Sequence, residues 1–190
     1  MLQFQNDVNL QIGDLSLTGN PVRNLGGEED AEDSGQKAVN YRTEPLWKRM
    51  QQPVETPFSD TDNYNNWNDA AWNGKVGGAD PQTPVFAARI GQPVRFRLLQ
   101  AGGHSRNLVF ALHGHIWDRQ PYTNGSTKLG QNGFSFLEGA HMGIGPTSHF
   151  DALLRNGAGG AFKITGDYLF RDFAGPGFDG GLWGLLRVSP

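Results

Sequence analysis

Two histidines separated by one glycine have the clearest capacity for chemistry in this chain. His113 and His115 lie within the apolar run 107–117, and on a β-strand residues i and i+2 point to the same face. Both imidazoles would then reach one metal ion, while Gly114 would let a ligand or another backbone approach closely. Because two ligands do not close a metal site, two interpretations stay open: a metal-binding pair and a pair of hydrogen-bonded core histidines.

Three further histidines and one methionine could complete a site only if the fold brings them together. His104, His141 and His149 lie in segments that contain glycine or serine, and Met142 follows His141 directly. The soft sulfur of methionine favours copper. The chain has no cysteine, which excludes disulfides, thiolate metal sites, iron–sulfur clusters and a cysteine nucleophile.

Several function classes lack the residues they need. The net charge is -3, from 16 basic and 19 acidic residues, and no cluster of lysine or arginine suggests binding to nucleic acid or to an anionic membrane. No Gly-x-Ser-x-Gly motif marks a hydrolase, and no apolar run approaches the ~18 residues of a membrane span. The run 28–33 carries five carboxylates but lacks the spacing of a calcium loop, which favours a solvated loop.

Short strands joined by turns must position these residues. The chain has 27 glycines and 11 prolines among 190 residues, and its apolar residues occur in short runs that favour strands over long helices. The predicted strands are 85–90, 94–99, 107–117, 150–154, 161–164, 167–170 and 182–188. This spacing predicts an all-β antiparallel sandwich or barrel with Greek-key connections.

The first 80 residues have a different character from the rest. We predict that residues 1–80 form an arm and irregular loops that pack on a domain formed by residues 81–190. Short apolar alternations at 8–17 predict strands or an extended arm, and a short helix is predicted to begin at Pro45. A long loop carries Trp67 and Trp72. A binding module that presents these two rings to a glycan is therefore one alternative function.

Four segments together resemble the last cupredoxin domain of a multicopper oxidase. They are GQPVRFRLL at 91–99, LHGHIW at 112–117, the segment 145–151, and the segment 166–188. The resemblance covers about 84–188 and implies a cupredoxin-type Greek-key fold. The acidic run followed by residues 40–45 resembles the stretch before that domain in large bacterial members similar to manganese-oxidising multicopper oxidases.

The resemblance also indicates which copper ligands are retained. The family's first ligand motif supplies type 1, type 2 and type 3 copper ligands, which match Leu108, Ala111 and His113 here. His115 matches the last histidine of that motif, which usually does not bind copper. The second ligand motif matches Arg171, Asp172, Phe173, Gly177 and Leu182, none of which is the family's ligand. A carboxylate at Asp172 does not replace the soft thiolate of a type 1 site.

Two functions follow from the resemblance. The first is a copper-free cupredoxin domain with a structural or partner-binding role among the other cupredoxin domains or subunits of a multicopper-oxidase-like assembly. No cofactor is then expected in the isolated chain. The alternative is a fragment or subunit of a copper-dependent oxidoreductase, in which His113 and His115 help to complete an interdomain copper site. The usual location of the family's members implies a periplasmic or extracellular location for this chain.

Asp172 should have a polar partner if it lies in the former copper pocket, because a buried carboxylate without a hydrogen bond is costly. We predict that it is buried and that His104 or Arg106 provides the bond. Arg171 should point away from Asp172, since neighbours on a strand face opposite sides.

Overall fold

The computed structural model describes residues 2–6, 37–40, 42–45, 49, 79–100, 108–121, 132–173 and 177–190. In these ranges the chain forms short strands and one short helix. The strands are β1 (Leu2–Asn6), β2 (Lys37–Val39), β3 (Val85–Arg89), β4 (Arg95–Gln100), β5 (Leu108–Leu112), β6 (Trp117–Asp118), β7 (Leu137–Glu138), β8 (Ala140–Ile144), β9 (His149–Leu153), β10 (Gly166–Asp172) and β11 (Trp183–Ser189), and the helix is α1 (Gly177–Gly180).

The strands form two main sheets. One sheet has the order β2-β1-β4-β9, the other has the order β3-β11-β10-β5-β8, and β6 and β7 form a small ribbon. The chain passes from one main sheet to the other between β2 and β3, β3 and β4, β4 and β5, β8 and β9, and β9 and β10. The predicted all-β sandwich is confirmed.

Aromatic rings from both sheets form the centre of the core. Phe96 of β4 lies 5.7 Å from Phe110 of β5 and 5.7 Å from Phe170 of β10, measured between ring centroids. In β4, the arginines at 95 and 97 are exposed while Phe96 and Leu98 are buried. The alternation of basic and apolar residues therefore gives β4 one solvent-exposed face and one buried face, as the sequence predicts.

Parallel pairing joins distant parts of the chain. β11 pairs with β3 in parallel, with Leu185 opposite Val85. β1 pairs in parallel with the end of β4, with Leu2 opposite Leu98, and antiparallel with β2. Segments from the first 80 residues thus extend the four-stranded sheet.

A buried carboxylate connects residues 42–45 and Arg49 to the sandwich. Glu44 accepts hydrogen bonds from the Arg49 guanidinium (2.8 Å) and from the backbone amide of Gln82 (2.6 Å). The Trp183 indole donates to the backbone carbonyl of Glu44 (2.7 Å). We call Glu44, Arg49, Gln82 and Trp183 the Glu44 network. The Arg49 amide also donates to the carbonyl of Pro45 (3.1 Å), the bond of one helical turn, at the position where the sequence predicts a helix to begin.

One predicted strand is wrong. Residues 161–164 lie in a series of turns, because Gly159, Gly160 and Lys163 have positive φ angles of 84°, 63° and 54°, which a continuous strand does not accommodate. The side chain of Phe162 is 86% exposed. The apolar pattern here does not mark a buried face.

Some sequence predictions lie outside the described residues. They are the alternation at 8–17, the acidic run 28–33, and the loop that carries Trp67 and Trp72. Within the described part of the chain, no helix has the length and apolar character needed to cross a membrane.

Candidate functional site

The two central histidines lie at a turn and not within a strand. β5 ends at Leu112, and His113 and Gly114 form a turn in which Gly114 has a φ of +70°. His113 is exposed, whereas His115 is only 3% exposed. The prediction that both imidazoles share one strand face is therefore wrong. The positive φ of Gly114 reverses the chain, and a Cβ atom there would lie 2.8 Å from the Tyr168 ring.

Both ring nitrogens of His115 have hydrogen-bonding partners. Nδ1 donates to the carbonyl of His113 (3.0 Å), and Nε2 accepts from the backbone amide of Gly159 (3.0 Å). The ring packs edge-on against Tyr168, with 4.5 Å between centroids. This arrangement selects the neutral tautomer with the proton on Nδ1, and burial lowers the pKa of His115. A metal ion at Nε2 would have to displace the Gly159 amide.

His113 lies beside Arg171 at the surface. Its Nε2 accepts a hydrogen bond from Nε of Arg171 (3.3 Å). Desolvation and the positive charge of Arg171 both lower the pKa of His113. The Arg171 guanidinium also lies 4.6 Å from the ring centroids of Phe173 and of Phe178. The neighbourhood of His113 is therefore cationic and aromatic.

The lowered pKa of His115 predicts a pH-dependent stability. In the unfolded chain this ring takes up a proton near its ordinary pKa of 6.5, whereas the folded chain resists protonation. The unfolded state thus binds more protons as the pH falls through 6.5. The stabilisation is complete above that pH and is lost below it, by at most about 1.4 kcal/mol per pH unit for one ring.

We expect urea unfolding between pH 8 and pH 5.5 to show this loss, and His115→Gln to reduce the slope with pH. His149→Gln makes the same chemical change at an exposed histidine of β9 and is the matched control for the substitution itself. An unaltered slope in the His115 variant would contradict the assignment.

Asp172, which the sequence resemblance matches to the family's thiolate, is a buried residue. It is 2% exposed, and its Oδ1 accepts a hydrogen bond from the backbone amide of Val109 (3.0 Å). A Cβ atom on Gly177 would collide with Oδ2 and with the side chain of Leu182, so a larger residue there would require these side chains to move. The predicted burial with a hydrogen-bonding partner is confirmed. The suggested partners His104 and Arg106 lie outside the described residues.

Apolar side chains occupy three other positions that the sequence resemblance matches to copper ligands. Leu108, Ala111 and Leu182 are all buried, and Leu108 and Leu182 belong to the main hydrophobic core. Arg171 is half-buried and Phe173 is exposed. Apolar side chains offer no donor atom to a metal, so this end of the sandwich is filled by packing.

His104 lies outside the described residues, and the structure does not group His141, His149 or Met142 with the central pair. His141 donates from Nδ1 to Glu138 (2.5 Å), which also accepts from the Trp117 indole (3.0 Å). Met142 is exposed on β8. Within the described ranges, no three histidine, aspartate or glutamate residues are grouped to hold a metal. Sequence reasoning missed Glu138, although its spacing of three from His141 was visible.

Comparison with known proteins gives structural likeness alone. No protein-family model matches the chain, and no curated protein sequence matches it. A mutant of the laccase from Botrytis aclada shares 14% identity over 98% of this chain and 28% of its own, with a TM-score of 0.48. Blue copper oxidase from Nitrosomonas europaea shares 21% identity over 57% of this chain and 31% of its own, with a TM-score of 0.41.

A smaller copper protein is also similar in structure. Auracyanin from Roseiflexus castenholzii shares 15% identity over 56% of this chain and 84% of its own, with a TM-score of 0.34. The chain covers only 20%, 22% and 31% of a Campylobacter jejuni multicopper oxidase, a Thermus scotoductus nitrite reductase and the Nitrosomonas enzyme. No activity follows from likeness at this level.

Proposed function

We propose that this chain is a copper-free cupredoxin-type domain with a structural or partner-binding role in a multicopper-oxidase-like assembly. The partners would be other cupredoxin domains or subunits of that assembly, and nucleic acid is not among them. A periplasmic or extracellular location belongs to the same proposal. The manganese-oxidase-like type is part of it as well, and rests on the segments before residue 84.

One observation carries the proposal: several positions that the resemblance matches to copper ligands are used for packing or internal hydrogen bonding. Leu108 and Leu182 belong to the core, and Asp172 bonds to the backbone of β5. The chain also lacks the cysteine that a type 1 site requires. Restoring copper would therefore demand several simultaneous substitutions, which supports a role that does not depend on metal.

Native mass spectrometry after exposure to Cu(II) and dialysis tests the proposal. We expect the mass of the apoprotein, and no dioxygen consumption with a phenolic reductant. Copper bound at whole-number stoichiometry and lost in His113→Ala would contradict the proposal. His149→Ala is the matched control, because His149 is an exposed histidine remote in sequence from the turn.

A second candidate is a fragment of a copper-dependent oxidoreductase in which His113 and His115 help to complete an interdomain site. The exposure of His113 at the surface favours it, because a ligand from another domain could approach. Binding at His113 would displace Arg171 from Nε2, and binding at His115 would displace the Gly159 amide. In an assembled enzyme, His113→Ala should then remove copper and dioxygen reduction, while unchanged values would exclude this function.

A further inference from the structure

A cleft opens on the side of the sandwich where β3 turns into β4. It has a volume of about 290 Å³. Its apolar lining includes Phe86, Val94, Phe96 and Leu186, and its polar lining includes Arg95 and Arg97. Phe86 and Phe96 are in edge-to-face contact, with ring centroids 6.2 Å apart. The cleft thus reaches the margin of the main core.

The first half of β4 has an open edge on one side. The carbonyl of Val94 and the amide of Gln100 both bond to the β9 side of the ladder. Because successive residues of a strand direct their amide and carbonyl groups to opposite sides, Arg95 and Arg97 direct theirs away from β9. On that side, β1 pairs only with residues 98–100. Within the described residues, no strand lies beside Arg95.

β3 has an open edge as well. The carbonyl of Pro84 and the amide of Ile90 bond to β11, so Val85 and Ala87 direct their peptide groups away from it. β3 is the outermost strand of its sheet among the described strands. Two strand edges that have no neighbour among the described strands therefore flank one apolar cleft, an arrangement that can accept an extended chain by strand addition.

The outer face beside this edge is positively charged. Arg95 and Arg97 are exposed, and Arg97 makes one ion pair with Asp151 at 3.3 Å. In the part of the chain that the structure describes, no carboxylate lies within ion-pair distance of Arg95. An added strand would place its outward side chains next to these two arginines, so carboxylates are the complementary choice.

We propose that this cleft binds an extended, acidic segment of a partner protein, which pairs with residues 95–97 of β4 in line with β1. One apolar side chain of the segment enters the cleft against Phe86 and Phe96, and the carboxylates on either side of it face Arg95 and Arg97. The inference rests on the proposed partner-binding function and gives the chemistry of the partner.

Fluorescence anisotropy with a labelled peptide of alternating glutamate and valine tests the inference. We expect saturable binding that weakens with added salt, and roughly tenfold weaker binding by the double variant Arg95→Gln, Arg97→Gln. Arg119→Gln and Arg155→Gln change arginines outside the cleft lining and should bind as the unaltered chain does. A lysine–valine peptide that binds equally well would overturn the role of charge.

Methylation of the peptide nitrogens tests strand addition without altering the protein. Only alternate residues of an added strand bond to the protein edge, so methylation of one alternate set should abolish binding and methylation of the other set should not. Equal binding by both methylated peptides, or equally tight binding of a short free carboxylic acid, would overturn the inference. No binding by any acidic alternating peptide would also overturn it, and the arginines would then serve to protect an edge. Copper binding is measured in a separate experiment, so its result does not decide whether an acidic segment binds in the cleft.

Discussion

Replacing Phe170 with alanine is expected to lower the free energy of unfolding by about 3–5 kcal/mol, the range for removal of a buried phenylalanine ring. Phe170 is fully buried on β10. Its ring lies 5.7 Å from the centroids of Phe86 and Phe96 and 6.4 Å from that of Phe110. The substitution therefore removes contacts to both sheets and leaves a cavity between them.

Urea unfolding followed by tryptophan fluorescence measures this effect, with Phe162→Ala as the matched control. Phe162 is 86% exposed, so the same chemical change there should alter the free energy of unfolding little. If the Phe170 variant is too unstable to purify, Phe170→Leu retains most of the volume and should lose less. Equal effects of the substitutions at 170 and 162 would contradict the assigned core.

Replacing Glu44 with alanine is expected to cost about 3 kcal/mol of unfolding free energy, because removal of one partner leaves the other charge poorly solvated. The Arg49 guanidinium would lose its carboxylate, and the Gln82 amide would lose its acceptor. Glu44→Gln should cost less, since a neutral oxygen can still accept from the Gln82 amide.

Thermal and urea unfolding of both variants give the comparison. Asp167→Asn is the control, because Asp167 pairs with Arg187 at the surface, where exposed ion pairs contribute little. A Glu44→Ala variant as stable as Asp167→Asn would show that residues 42–45 and Arg49 are attached only loosely to the sandwich.

Much of the sandwich was predictable because its strands carry a local pattern. β4 alternates basic and apolar residues, and β10 and β11 lie within the predicted runs 167–170 and 182–188 apart from their ends. The burial of Asp172 was predicted from the sequence resemblance, and the structure shows it buried. In each of these cases a short stretch of sequence is enough to predict the strand or the burial of the residue.

Other features depend on backbone geometry or distant contacts, which local patterns do not encode. The run 107–117 is apolar enough for one strand, but the positive φ of Gly114 ends it and separates the two histidines. β8 has exposed residues and little alternation of apolar and polar residues. It forms a strand because its backbone pairs with that of β5. The Glu44 network joins residues up to 139 positions apart, a pairing that no spacing rule indicates.

The parallel pairing of β3 with β11 has a consequence for how the chain acquires its structure during synthesis. Val85 must meet Leu185, and β11 is the only described neighbour of β3 in the sheet order. On the ribosome, β3 therefore lacks its described sheet neighbour until residues 183–189 have been translated and released from the exit tunnel. Closure of so long a loop slows folding.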